Sequence, residues 1–137
     1  MKILILGCGR QGAYLAQLLD QQGHAVTIID RNTDSFRRLG SDFKGTMLLG
    51  VGIDEDVLRR AGIETADAFI AVTNGDNTNA MAAEIARLVF KVPKVIARLY
   101  DPVRDQTYRA LGLMETVCPT VMGANQINQL LSNGKKS

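Results

Sequence analysis

The chain contains few of the residues that build metal centres, disulfide frameworks or membrane spans. Its 137 residues include two cysteines, one histidine and no tryptophan. Cys8 and Cys118 form neither a metal-ligand spacing nor a disulfide pattern, so two free thiols in a reducing compartment are expected. No apolar run approaches the roughly 18–20 residues that span a bilayer, and the N-terminal stretch lacks the length and cleavage site of a secretory signal. These absences predict a cytoplasmic protein with no metal site.

The sequence also lacks a strong charge imbalance and a recognisable catalytic set. Its 16 Lys and Arg against 14 Asp and Glu give a net charge of +2, too balanced to indicate a nucleic-acid partner. His24, the only histidine, lies in a predicted turn, and no tyrosine is followed four residues later by the lysine that short-chain dehydrogenases use. Hydride transfer needs an acid–base group beside the nicotinamide. The sequence therefore predicts binding without catalysis, and not an enzyme.

What the sequence does have is a regular alternation of apolar runs and helical patterns. Strands are predicted at residues 2–7, 25–30, 46–50, 66–73, 94–99 and 115–118. Helices are predicted at residues 10–23, 34–40, 54–63, 77–90, 102–112 and 119–131. Such alternation indicates a parallel sheet covered on both faces. We expect an α/β fold, a Rossmann-like doubly wound parallel sheet of about six strands, in one domain at residues 1–131 followed by a polar tail at 132–137.

A glycine-rich loop, GCGRQG at residues 7–12, joins the first predicted strand to the first predicted helix. A dinucleotide-binding fingerprint occupies this position: Gly7 allows the tight turn, Gly9 admits a pyrophosphate, and Gly12 lets the helix pack close to the strand. Free N–H groups and the dipole at a helix N-terminus favour phosphate oxygens. The residues expected at the phosphates are Gly7, Cys8, Gly9, Arg10, Gln11 and Gly12.

An acid at the end of the second predicted strand favours the same function. Asp30 follows Gly12 by 18 residues, where a carboxylate accepts hydrogen bonds from both ribose hydroxyls and repels a 2′-phosphate. The neighbouring Arg31 can accommodate that phosphate. A plainer interpretation makes the glycines turn residues and Asp30 a cap. Cys8, at a helix N-terminus, is expected to have a lowered pKa, and it is either a redox-sensing thiol or a small residue tolerated beneath the phosphates.

Two further turns are expected at the same edge of the sheet, beyond the carboxyl ends of the strands. In the first, the residues expected to border an adenine are Gly52, Ile53 and Asp54. Asp54 is equally suited to capping the following helix. In the second, the residues with groups available for hydrogen bonding include Thr73 and Asn74, and the nearby Asp76 can also serve only as a helix cap. The helix that follows, at 77–90, is apolar most of the way round, which predicts packing on two sides.

Taken together, MKILILGCGRQG, Asp30, GVGIDEDVLRRAGIETADAFIAVTNGDNTN and KVIARLYDP closely resemble the N-terminal nucleotide-binding domain of TrkA/KtrA-type proteins. These are the regulatory RCK, or KTN, subunits of bacterial potassium channels and transporters. The resemblance covers residues 1–131. It implies a cytoplasmic regulatory domain that binds ATP, ADP or NAD(H), pairs as a homodimer, assembles in some members into a ring beneath a membrane subunit, and changes ion conductance with its ligand.

The resemblance also implies roles for individual residues. Thr73 and Asn74 would lie beside the bound nucleotide, and Arg98 would face the phosphates. Arg10 would reach a terminal phosphate, including one bound by the partner, so that ATP gains a contact that ADP and NAD lack. The simpler interpretation leaves Arg10 as a solvated residue of the first helical turn.

The sequence departs from some ATP-sensing members at Arg109, which stands where those members carry an acid for a divalent cation, so no such cation site is expected. The helix at 119–131 has an apolar side that suits docking on a partner subunit or packing on its own sheet. Two alternative functions remain on the same scaffold. One is the NAD-binding half of an oxidoreductase, and the other is an NADH redox sensor.

Overall fold

Six parallel strands form one sheet in the order β3-β2-β1-β4-β5-β6. The computed structural model describes residues 1–134 of the chain. The strands are β1 (Lys2–Leu6), β2 (Ala25–Asp30), β3 (Thr46–Leu49), β4 (Ala68–Ala71), β5 (Lys94–Arg98) and β6 (Glu115–Val117). The strand order reverses between β1 and β4, which leaves a crevice beyond the carboxyl ends of these strands.

Within residues 1–134 four α-helices connect strands, and a fifth follows β6: α1 (Arg10–Gln21), α2 (Glu55–Arg60), α3 (Asp76–Glu84), α4 (Pro102–Leu111) and α5 (Pro119–Gly134). Two 3₁₀ segments, Thr33–Leu39 and Ile63–Thr65, and a π-helical turn that extends α3, Ile85–Val89, complete the fold. Strands and helices alternate as the sequence predicts, and the expected Rossmann-like doubly wound fold is confirmed.

Alternate residues of β1 enter two separate cores, because successive side chains of a strand point to opposite faces of the sheet. Ile3 and Ile5 pack in the core that contains the inner face of α1, whereas Leu4 and Leu6 pack in the core that contains α2 and α3. A strand buried on both faces must be apolar throughout, which explains the continuous run KILIL. The sheet is therefore a rigid base for the loops at its carboxyl edge.

Within residues 1–134 the helix predicted at 77–90 packs on one side only, where the sequence predicts packing on two sides. Its inner side is buried through alanines and Asn79, but Met81, Leu88 and Val89 on its outer side are each at least half exposed. No other element within residues 1–134 covers this outer side. The apolar residues all round the helix reflect one buried face and one face open to solvent.

The last helix, α5, leaves its apolar residues exposed within the described chain. Val121, Met122, Ile127, Leu130 and Leu131 all face solvent. Of the predicted polar tail, residues 132–134 continue the helix, and residues 135–137 lie outside the described part. None of the helices in residues 1–134 combines the length and apolar character that crossing a membrane demands.

Candidate functional site

A cleft of about 1010 Å³ opens at the carboxyl edge of the sheet, at the point where the strand order reverses. Ligands of open parallel sheets bind in this position. The predicted site residues that line the cleft are Gly9, Arg10, Gln11, Asp30, Arg31, Gly52, Ile53, Thr73, Asn74 and Arg98. The predicted residues Gly7, Cys8, Gly12 and Asp54 do not line it. The structure thus brings together most of the residues that the sequence singled out.

The three glycines of the loop serve three different purposes. Gly7 has a φ of +108°, and a Cβ there would lie 2.7 Å from the carbonyl oxygen of Val72. A Cβ on Gly12 would overlap the carbonyl oxygen of Gly7. Gly9, in contrast, has an ordinary φ of −77°, and a Cβ on it would meet no protein atom within 4 Å. The fold itself therefore requires glycine at positions 7 and 12, whereas Gly9 keeps space open on the cleft side.

Asp30 is held at the cleft by two backbone amides. Its Oδ2 accepts a hydrogen bond of 2.8 Å from the Cys8 N–H, and its Oδ1 accepts one of 2.8 Å from the Asn32 N–H. Each carboxylate oxygen has more than one acceptor position. The carboxylate therefore ties the glycine loop to the end of β2 and retains acceptor capacity for a ligand hydroxyl.

The expectation of a lowered pKa for Cys8 is wrong. Burial raises the pKa of the Cys8 thiol to about 11, and the nearby Asp30 carboxylate acts in the same direction. The side chain is fully buried, and its Sγ donates to the carbonyl oxygen of Ser35 at 3.3 Å. Cys8 serves the cleft through its backbone N–H, while its thiol packs beneath the 3₁₀ segment that follows β2. An inert, protonated thiol results, which argues against a redox role.

Arg98 is a buried cation at the end of β5, with only 5% of its surface exposed. Its guanidinium donates to the carbonyl oxygens of Val72 (3.1 Å) and Thr73 (2.9 Å) and to Oε1 of Gln11 (2.8 Å). Within residues 1–134 it forms no ion pair, and its buried Nε has no hydrogen-bond partner. Burial lowers the pKa of this group. A buried charge without a counter-ion is costly, so this end of the cleft favours an anion.

The cleft as a whole is cationic. Arg10, Arg31, Arg38 and Arg98 line it, against the single carboxylate of Asp30 among the described lining residues. Arg38 was not anticipated from the sequence, and it donates to the carbonyl oxygen of Cys8 at 3.3 Å. Arg10 is exposed on the first turn of α1 and makes no hydrogen bond or ion pair within the described chain. These charges attract an anionic ligand.

Asn79, which is not among the residues predicted from the sequence, organises the turn after β4. This fully buried side chain accepts hydrogen bonds from the Thr73 N–H (2.9 Å) and Oγ1 (2.6 Å). It donates to the carbonyl oxygens of Thr73 (3.0 Å) and Arg98 (2.8 Å). The sequence does mark this residue: Asn79 stands three residues before Ala82 and four before Ala83, so it is a polar residue on the otherwise apolar inner face of α3.

Two acids in the predicted turns have structural partners. Asp54 caps α2 by accepting from the Asp56 N–H at 2.9 Å, which is the simpler of its two interpretations. Asp76 does not cap α3, whose N-cap is Gly75. Its carboxylate instead accepts from the backbone N–H groups of Tyr100 (2.8 Å) and Asp101 (2.9 Å). Asp76 therefore fixes the turn after β5, beside the cleft.

The family model of the TrkA-N domain matches residues 3–119 of the chain. A curated relative, the Trk system potassium uptake protein TrkA of Streptomyces coelicolor, is 53% identical over 135 residues. The match covers 98% of this chain and 60% of that protein, so the chain spans well under the full length of its relative.

Solved structures share the fold. The crystal structure of GsuK bound to ADP has a TM-score of 0.81 at 27% identity, over 96% of this chain and 34% of that one. The Shewanella denitrificans Kef CTD in its AMP-bound form has a TM-score of 0.82 at 23% identity, over 98% of this chain and 82% of that one. At the latter identity the likeness supports the fold alone.

Proposed function

Because the chain belongs to the TrkA-N domain family, we propose that its cleft binds an adenine nucleotide, ATP or ADP, or NAD(H). The family match confirms the resemblance inferred from the sequence. We further propose that the bound ligand controls a potassium channel or transporter, as the name of the 53% identical relative suggests. The ADP-bound GsuK structure, at 27% identity, supports the ligand class.

The open space at Gly9 is the observation that carries the proposal. Neither backbone conformation nor internal packing requires glycine there, yet the position faces the cleft at the N-terminus of α1. A phosphate seated against this backbone would meet free N–H groups and the positive end of the helix dipole. The glycine is explained by a ligand that approaches the backbone closely.

The remaining residues divide between the two ends of such a ligand. Asp30 would accept from the ribose hydroxyls, and Gly52 and Ile53 would border the adenine, since all three line the β2–β3 side of the cleft. Arg98, which lacks a carboxylate partner, would face the phosphates on the other side. Arg10 is free to reach a terminal phosphate, where the forked guanidinium suits a γ-phosphate.

The wider assembly is part of the same proposal. Family resemblance suggests a homodimer or a higher ring, peripheral to the inner membrane through a channel or transporter subunit. The exposed apolar residues of α5 and of the outer side of α3 provide apolar surface that such contacts would bury. The protein would act by binding and conformational change, without turnover.

Thermal-shift titration with ATP, ADP, NAD and NADH, alongside the solution mass, tests the proposal. A ligand present at 100 times its Kd stabilises the folded state by about 2.7 kcal/mol, which raises the Tm of a chain of this size by several degrees. A preference for NADH with no response to ATP or ADP would instead favour the oxidoreductase half or the redox sensor.

A further inference from the structure

The cleft extends on both sides of the point where the strand order reverses. On the β2–β3 side lie Asp30, Gly52 and Ile53, which the proposed function assigns to adenosine. On the β4–β5 side lie Thr78, Tyr100 and Pro119, to which the proposed function gives no role. The total of about 1010 Å³ is at the upper end of the range for ligand pockets, about 300–1,000 Å³. The β4–β5 side therefore offers room for a second ring system.

Tyr100 gives this side of the cleft a surface that suits a planar ring. The residue is 40% exposed, and its ring centroid lies 4.6 Å from the central guanidinium carbon of the buried Arg98. Stacking on the guanidinium fixes one face of the ring. The exposed part of the ring is available for an aromatic partner, because offset and edge-to-face contacts between rings are favourable.

The backbone of Tyr100 joins the cleft to the first turn of α5. Its N–H donates to Oδ1 of Asp76 at 2.8 Å. Its carbonyl oxygen accepts from Oγ1 of Thr120 at 2.6 Å and from Sγ of Cys118 at 3.6 Å. Pro119, the first residue of α5, also lines the cleft. Tyr100, whose carbonyl oxygen holds the start of α5, and Pro119 thus both border the ligand space.

We propose that Tyr100 is the residue by which the cleft distinguishes a dinucleotide from a mononucleotide, and that the Thr120–Tyr100 hydrogen bond passes this difference to α5. The inference rests on the proposed function, which places the adenosine on the other side of the cleft. A mononucleotide there leaves Tyr100 uncovered, whereas the second ring of NADH reaches it. A ligand shifts a conformational equilibrium only through such differential contacts.

Titration of two Tyr100 variants tests the binding step, with NADH and ADP as probes. Tyr100→Ala removes the ring, while Tyr100→Phe keeps it and is the matched control. Because an aromatic ring stacked on a base contributes substantially to affinity, Tyr100→Ala should weaken the affinity for NADH about tenfold and the affinity for ADP less than about twofold. Tyr100→Phe should bind both ligands as the wild type does. Equal losses for the two ligands, or no loss for NADH, would overturn the assignment.

Hydrogen exchange at the backbone amides of residues 120–126 tests the second step. Saturating NADH should slow exchange there more than saturating ADP does in the wild type. Thr120→Val keeps the shape of the side chain but loses the hydroxyl, so it should bind both ligands normally and lose this difference. Identical protection by the two ligands in the wild type would overturn the role given to α5.

The outcomes separate this inference from the proposed function. A wild-type protein that binds none of ATP, ADP, NAD and NADH would overturn both, and one that binds ATP or ADP but not NADH would overturn the inference alone. Normal ADP binding, with NADH affinity independent of Tyr100, would overturn the inference and leave the proposed function standing.

Discussion

Replacing Asn79 with leucine removes the polar groups that fix the turn after β4 while keeping the branched shape of the side chain and its number of heavy atoms. Asn79 is completely buried and makes four hydrogen bonds, three with Thr73 and one with the carbonyl oxygen of Arg98. Leucine can make none of these bonds. The Thr73 N–H loses its partner at a site where the new methyl groups also exclude water.

The expected cost follows from these four bonds. Leaving a buried N–H without a partner costs about 1–3 kcal/mol, and the net contribution of each other hydrogen bond is about 0.5–1.5 kcal/mol. We expect the free energy of unfolding to fall by about 4 kcal/mol, a large fraction of the roughly 5–15 kcal/mol of a typical domain. For a chain of this length, the Tm should fall by about 10–15 °C.

Guanidinium unfolding of the wild type, Asn79→Leu and Asn77→Leu measures this cost. Asn77 is an exposed asparagine on the same helix whose side chain makes no hydrogen bond within the described residues, so its replacement should change stability by at most about 0.5 kcal/mol. If Asn79→Leu loses no more than this control, with an unchanged m-value, the hydrogen-bond network around Thr73 does not stabilise the fold as we argue.

Three further predictions concern the single side chains of Cys8 and Arg10. Iodoacetamide at pH 8 should alkylate native Cys8 far more slowly than a free thiol, because the side chain is buried and its pKa is about 11; labelling at the free-thiol rate would contradict this. The folded state holds the Cys8 thiol proton more tightly than the unfolded chain does. The contribution of this thiol to the free energy of unfolding is therefore complete below pH 9 and is lost as the pH rises to about 11. Urea midpoints of the wild type should therefore fall more than those of Cys8→Ala in that window. Arg10→Ala should weaken ATP about tenfold more than ADP through the lost charge-assisted hydrogen bond, whereas the exposed Arg60→Ala should change neither; equal losses for ATP and ADP would remove the γ-phosphate contact.

Most of the fold could be predicted because the parallel sheet leaves a local pattern in the sequence. Both faces of β1 are buried, so its residues form a continuous apolar run, and Gly23 and Gly112 follow helices with positive φ. The outer side of α3 could not be predicted in the same way. Met81, Leu88 and Val89 look like core residues in sequence, and only the three-dimensional arrangement shows that nothing in residues 1–134 covers them.

The cleft was predictable where it depends on short-range geometry. The glycine loop and Asp30 follow directly from the order of strand, turn, helix and strand. Asn79 and Tyr100 could not be predicted because their roles depend on which strand ends lie side by side. The Asn79 side chain joins Thr73, after β4, to the Arg98 carbonyl, at the end of β5, and the Tyr100 backbone N–H bonds to Asp76, 24 residues away. The shift of the Cys8 pKa was predicted in the wrong direction. The position at a helix N-terminus can be read from the neighbouring sequence, whereas the burial that raises the pKa depends on the three-dimensional packing.

The affinity of Gly9→Ala for ADP, set against that of Gly123→Ala, tests the central claim most directly. A Cβ at either position meets no protein atom within 4 Å, so both variants should fold as the wild type does. Gly123 lies on α5, away from the cleft, whereas Gly9 faces the proposed phosphates. We predict that Gly9→Ala weakens the affinity for ADP about tenfold or more, while Gly123→Ala binds ADP with the affinity of the wild type. Wild-type affinity in a folded Gly9→Ala protein would contradict the account.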